Sequence, residues 1–117
     1  MAVDGRIQRL FVPCRQPSRL LVVNSETGGI TSWAPSVKDA DDVFVDEARR
    51  FVYVIGGDGY IDVVFVRAAD ALVSRAHVPT GPGARTGLYV PEWNQFLVAA
   101  PSHDGKAARI LVFSTLP

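Results

Sequence analysis

The sequence predicts an all-β fold, because its apolar residues form short β-branched and aromatic runs separated by turn residues. Gly, Pro, Asn and Asp interrupt these runs, and almost no segment has helical periodicity. The one segment that suggests a helix, residues 67–72, is short and is expected to be a hairpin connection. The predicted strands are residues 10–12, 20–23, 43–45, 51–55, 60–66, 88–90, 96–100 and 110–113.

Length, charge and cysteine content exclude several classes of protein. A chain of 117 residues suffices for one domain but not for two independent cores. Its 12 basic residues balance its 12 acidic residues, which argues against a nucleic-acid partner. The single cysteine, Cys14, excludes a disulfide framework and zinc sites built on paired cysteines. No membrane partner is expected, because no apolar run reaches 18 residues.

An internal repeat narrows the predicted architecture. Three copies of the repeat begin with a Val followed directly by Asp or Pro. In each copy an apolar strand follows, and its last residue lies eight positions after that Asp or Pro. The copies are 42 and 45 residues apart, and a period of this length made only of strands is typical of β-propeller blades. The repeated positions are Asp4 with residues 10–12, Asp46 with residues 52–54, and Pro91 with residues 97–99.

The repeat divides one partial β-propeller, residues 1–117, into about three four-stranded blades at residues 1–37, 38–80 and 81–117. The Asp-Gly pair within residues 56–59 predicts the hairpin that joins the middle strands of the second blade. The third blade contains three strands, and we expect the residues after Phe113 to be too few for a full fourth strand.

Four segments carry a resemblance to a known family: residues 41–44, 51–54, 57–63 and 83–92. They resemble the YVTN-type β-propeller repeat family, bacterial proteins that are usually complete seven-bladed rings and are often exported. The resemblance covers practically the whole chain and implies the final three blades of such a ring. The N-terminal residues lack the pattern of a signal peptide, and a free thiol suits a reducing compartment, so localisation stays unassigned.

Three blades in a row would leave an apolar sheet face open at each end. At roughly 25 cal/mol per Å² of buried apolar surface, leaving the two faces exposed loses on the order of 10 kcal/mol of stabilisation. This loss is comparable with the whole stability of a small domain. Two copies would close a six-bladed ring with two-fold symmetry, so we expect a homodimer. Alternatively, the sequence is part of a longer product or its start codon is misplaced. Association is expected in that case as well.

The candidate ligand-binding residues are Asp41, Asp42, Arg85 and Thr86, at the start of the inner strands beside the expected channel. Asp41 and Asp42, with Asp39 and Asp46, form an acidic cluster that suits a divalent cation or, alternatively, caps turns and strand entries. Arg85 is expected to pair with Asp41 or Asp42, with anion binding as the alternative.

The remaining reactive side chains carry no strong motif. His77 and His103 are expected to lie far apart, with His103–Asp104 a solvated loop pair. Cys14 is expected to pack in or near the core, although neighbouring arginines would favour a reactive thiolate. Trp33 and Trp93 are expected to pack between blades or at a blade edge. No catalytic residue, metal or cofactor is assigned.

The leading functional hypothesis is a non-enzymatic scaffold or binding module, with a second copy of the chain as its partner and an unassigned ligand. The alternative is a hydrolase of the propeller lactonase type with a metal in the channel. A third interpretation is a relic of a larger ring without present activity. A stoichiometric bound metal would separate the enzyme from the scaffold.

Overall fold

A computed structural model describes residues 1–115 and confirms the all-β prediction for them. They form eleven strands and one short 3₁₀ helix, with no α-helix among these residues. The strands are β1 (Ala2–Asp4), β2 (Arg9–Arg15), β3 (Ser18–Asn24), β4 (Ile30–Pro35), β5 (Ala40–Asp46), β6 (Phe51–Gly56), β7 (Tyr60–Ala68), β8 (Ala71–Pro79), β9 (Thr86–Val90), β10 (Gln95–Ala100) and β11 (Arg109–Ser114), and the 3₁₀ helix is Pro91–Trp93.

The strands form three antiparallel sheets in which neighbours along the chain are neighbours in the sheet. The first sheet contains β1 to β4, the middle sheet β5 to β8, and the third sheet β9 to β11. The third sheet thus has three strands within residues 1–115. The predicted hairpins are confirmed: residues 57–59 join β6 to β7, and Ala69 and Asp70 join β7 to β8. Gly59 supplies the positive φ, 101°, that the first of these turns needs.

Strand pairing fixes how the three sheets correspond. The last residue of each first strand lies opposite a residue five positions later: Asp4 opposite Arg9, Asp46 opposite Phe51, and Val90 opposite Gln95. The residue of the third sheet that corresponds to Asp4 and Asp46 is therefore Val90. The sequence analysis matched Pro91 with them and was wrong by one residue. Pro91 lacks an N–H group and starts the 3₁₀ helix instead of ending the strand.

The middle sheet packs on both faces. Val52 and Val54 point to the first sheet and share a core with Phe11, Leu20 and Val22. The alternate residues of β6 point to the third sheet and share a second core, whose buried members are Tyr53, Ile55, Ile61, Ala84, Phe96, Val98 and Ala100. β6 is therefore buried on both sides, which explains its continuous apolar sequence.

Gly87 of β9 sets how closely the third sheet approaches the middle sheet. A Cβ atom at this position would overlap the Ile55 side chain and lie 2.8 Å from the Leu97 carbonyl oxygen. We predict that Gly87→Ala lowers the free energy of unfolding by about 2 kcal/mol, because two packed sheets must separate.

Chemical denaturation measures this effect, and Gly5→Ala is the matched control. No atom lies within 4 Å of the Cβ position at Gly5. The control substitution should therefore change the unfolding free energy by less than about 0.5 kcal/mol. Equal effects of the two substitutions would contradict the close packing at Gly87.

Candidate functional site

Charged side chains from all three sheets meet at the predicted ligand-binding region. Arg15, at the end of β2, donates from Nη2 to Asp41 Oδ1 at 3.0 Å, and its Nε lies 3.6 Å from Asp39 Oδ1. Arg85, just before β9, donates to Asp39 Oδ2. Asp41, Arg15, Asp39 and Arg85 therefore form a continuous series of ion pairs, which we call the charge ladder.

The ladder differs from the sequence prediction in its partners. Arg85 pairs with Asp39, whereas the sequence analysis expected Asp41 or Asp42. Asp42 lies at a bulge in β5, and its Oδ1 accepts from the backbone N–H of Val43 at 3.0 Å. The two arginines and two aspartates of the ladder neutralise one another. This arrangement links the sheets and leaves no uncompensated charge for a ligand.

Two of the predicted residues line a cavity. Arg85 and Thr86 border a cleft of about 510 Å³ together with Arg109, the first residue of β11. Asp41 and Asp42 are not among its lining residues. Sequence reasoning missed Arg109, which lies far from Arg85 in the sequence. Strand pairing brings it to this end of the sheet, because Arg109 lies opposite Ala100 and Thr86 opposite Ala99.

The two histidines bind different carboxylates. His77 Nδ1 lies 2.5 Å from Asp62 Oδ1, and its ring stacks on Tyr60 with centroids 4.0 Å apart. His103 Nε2 lies 2.8 Å from Asp104 Oδ2 on the β10–β11 loop, where both side chains are exposed, as predicted. Within residues 1–115, no three His, Cys, Asp or Glu residues form a group that could hold a metal ion.

Cys14 and the tryptophans lie in contrasting surroundings. Cys14 is half-buried in β2, in agreement with a packing role, and lies opposite Arg19 in the sheet. The Arg19 guanidinium covers the Trp33 ring at 3.9 Å from its centroid. Trp93 was predicted to pack between blades or at a blade edge, but it lies in the 3₁₀ turn with 63% of its surface exposed.

No helix within residues 1–115 has the length and apolarity to cross a membrane.

A buried carboxylate joins the middle sheet to the third sheet. Asp46 is 2% exposed, and its Oδ2 accepts from the Tyr53 hydroxyl at 3.0 Å and from Arg49 Nη1 at 3.1 Å. Arg49 also donates from Nη2 to Oδ1 of Asn94, just before β10 of the third sheet, at 2.6 Å. We call Asp46, Arg49, Tyr53, Tyr89 and Asn94 the Asp46 network.

Burial opposes ionisation of Asp46. Hydrogen bonds from the Arg49 backbone and guanidinium and from the hydroxyls of Tyr89 and Tyr53 outweigh burial and hold the Asp46 pKa below its ordinary value. Burial and the neighbouring carboxylate raise the pKa of both tyrosines, that of Tyr89 to about 12. Asp46 is therefore an ionised residue with a structural role.

The first sheet has an equivalent link, and the third sheet does not. Asp4, which corresponds to Asp46, is 5% exposed and pairs with Arg6, which reaches Glu47 of the middle sheet. At the corresponding place in the third sheet, Val90 and Pro91 carry neither the carboxylate nor a following arginine. An aspartate–arginine pair thus links the sheets at both junctions within the chain, and we call each such pair a polar clamp. The outer end of the third sheet lacks one.

Both ends of the sheet stack expose apolar faces. In the first sheet, Leu10, Val12 and Leu21 alternate with buried residues and therefore lie on the outer side. In the third sheet, Leu97 lies between Leu88 and Val112 on the outer side. The most exposed apolar side chains on these two faces are between 49% and 63% exposed: Val3, Ile30, Trp33, Leu88, Ile110 and Val112. We call these surfaces the first-sheet face and the third-sheet face.

Comparison with known proteins assigns no family: no protein-family model matches the chain, and no curated protein matches it either.

The Asp46 network predicts a large effect of neutralising its carboxylate. Asp46→Asn should lower the free energy of unfolding by about 3 kcal/mol at neutral pH, because it leaves Arg49 without its buried counter-charge. Denaturant titration measures the loss. The control is Asp41→Asn in the exposed charge ladder, which should cost less than about 1 kcal/mol. A smaller loss at Asp46 than at Asp41 would contradict the network.

The raised tyrosine pKa values predict an alkaline loss of stability. In the unfolded chain a tyrosine ionises near pH 10, whereas folded Tyr89 keeps its proton to about pH 12. Its contribution is therefore complete below pH 10 and is lost as the pH rises from 10 to 12. Denaturation at a series of pH values should show this fall. Tyr89→Phe should make it shallower, and an unchanged slope would contradict the assignment.

Proposed function

We propose that this chain is a non-enzymatic scaffold of the β-propeller type, whose copies join through their end faces into a closed homodimer of six sheets. The observation that carries the proposal is the pair of open apolar faces at opposite ends of the stack. Contiguous apolar faces on a soluble protein ordinarily mark interaction surfaces. The resemblance to YVTN-type repeats supports an arrangement of the sheets as blades of a ring.

The open faces correspond to faces that already pack within the chain. By strand register, Leu97 of the third sheet corresponds to Tyr53 of the middle sheet. Leu10 of the first sheet corresponds to Phe96 of the third sheet. The Tyr53 and Phe96 rings pack against each other with centroids 5.3 Å apart. A first sheet placed on the third sheet of another copy repeats this contact as Leu97 on Leu10.

Two further contacts follow the same correspondence. Leu88 corresponds to Phe44, which packs edge-on against Phe96 at 5.3 Å. Val3 corresponds to Tyr89, which packs against Tyr53 at 5.4 Å. In the proposed dimer, Leu88 therefore contacts the partner's Leu10, and Leu97 contacts the partner's Val3. Two different surfaces meet at such a junction, and two junctions close the ring.

The charge ladder supports a scaffold in preference to an enzyme. Its arginines and aspartates pair with one another, so their geometry serves the joining of sheets. Loops held on a rigid framework of this kind are well suited to binding.

Size-exclusion chromatography with light scattering tests the assembly. The chain should elute at twice its mass of 12.7 kDa. Leu88→Asp and Val3→Asp should each give monomers, because each places a charge in the junction. Circular dichroism should show that the variants remain folded. Ala68→Asp, at an exposed position of β7 away from both faces, is the control and should remain dimeric.

Mixing the two monomeric variants tests the head-to-tail geometry. One junction of the mixed pair joins the unaltered third-sheet face of Val3→Asp to the unaltered first-sheet face of Leu88→Asp. The mixture should therefore form a dimer although neither variant does alone. A folded wild-type monomer at high concentration would overturn the proposal. A Val3→Asp variant that remains dimeric would also overturn it, because the partners would then meet through identical faces.

A further inference from the structure

The β10–β11 loop contains a hydrogen-bonded turn that places basic side chains together. Asp104 and Gly105 have φ values of 47° and 77°, and His103 and Lys106 exchange two backbone hydrogen bonds of 3.1 and 2.9 Å. A two-residue turn with positive φ at both positions is the type I′ hairpin, which the Asp-Gly sequence favours. The turn therefore fixes Lys106 beside His103.

A small cavity of about 190 Å³ lies between this loop and the connection from β8 to β9. Its charged lining residues are His103, Asp104, Lys106 and Arg109. Asp104 is engaged by His103 at 2.8 Å. Within residues 1–115, neither Lys106 nor Arg109 has an ion-pair partner. Arg109 is half-buried, and a guanidinium is well suited to binding an anion in such a position.

Thr80 supplies an independent observation at the same cavity. It is 8% exposed and lines the cavity, and its Oγ1 is buried without a hydrogen-bond partner in the described part of the chain. Its backbone N–H is already used by the Gly59 carbonyl at 2.7 Å. A buried hydroxyl without a partner is unfavourable, so a bound polar group would stabilise it.

We propose that Lys106, Arg109 and Thr80 form a binding site for a small oxyanion, a phosphate or a carboxylate group. The two cations supply the charge, and the threonine hydroxyl donates a hydrogen bond to an anionic oxygen. Arg109 also lines the 510 Å³ cleft with Arg85 and Thr86. The remainder of a larger ligand therefore has space beside the anionic group. The site lies within one copy of the chain and does not depend on the proposed ring.

Another basic cleft provides the comparison. Arg6, Arg50 and Arg67 line a cavity of about 270 Å³ beside Asp4. There Arg6 is held by Asp4 and Glu47, and no buried hydroxyl without a partner lines the cavity. Like Lys106 and Arg109, Arg67 has no ion-pair partner within residues 1–115. Arg67→Ala therefore removes the same type of charge from a cleft that differs from the proposed site in lacking a buried hydroxyl without a partner.

Calorimetric titration of the full chain with inorganic phosphate at low ionic strength tests the site. The wild type should bind one phosphate per chain. Arg109→Ala and Lys106→Ala should each weaken binding at least about tenfold, whereas Arg67→Ala should change it less than about twofold. Thr80→Val removes the hydroxyl at nearly constant volume. It should weaken binding several-fold without lowering the melting temperature in the absence of phosphate.

A titration with acetate follows, and the comparison of its affinity with that of phosphate distinguishes a carboxylate ligand from a phosphate ligand. Chloride should bind far more weakly than either anion. Circular dichroism and light scattering establish that each variant keeps its fold and assembly. Absence of saturable binding of both phosphate and acetate would overturn the proposal. Equal losses in Arg109→Ala and Arg67→Ala would also overturn it, because binding would then follow net charge alone.

Discussion

The structure depends on burying the apolar faces of its sheets against one another. The middle sheet meets this requirement completely, since alternate residues of β6 enter separate cores on its two sides. A sheet at the end of a stack can satisfy only one face. The repeat therefore produces a stable interior and, from the same pattern of residues, two surfaces suited to further packing. Stability and the proposed assembly would thus follow from one sequence pattern.

The polar contacts add direction to this packing. Asp4 with Arg6 and Asp46 with Arg49 each join a strand end to the turn of the following sheet. The charge ladder crosses all three sheets at another position. Apolar surfaces pack in many relative positions, whereas hydrogen-bonded charges permit few. These contacts therefore determine how one sheet lies on the next.

Local features were predictable from the sequence, and contacts between sheets were not. The Asp-Gly turn before Tyr60 and the alternation of strands are encoded within a few residues, so the all-β fold and its hairpins followed. The acidic cluster shows the limit of such reasoning. Its members lie close in the sequence, yet Asp46 is buried with tyrosines while Asp39 and Asp41 bind exposed arginines. Their roles depend on neighbours that only the packing of sheets supplies. For the same reason the sequence did not reveal Arg15 or Arg109.

The replacement of the Asp-Arg pair by Val90 and Pro91 has a thermal consequence. A joint between copies at this end would rest on hydrocarbon contact without the clamp that reinforces the two internal junctions. Hydrophobic association weakens on cooling, and excluded salts such as sulfate strengthen it. The interface between copies would therefore dissociate on cooling before the sheets within a chain separate, and such salts would restore the association.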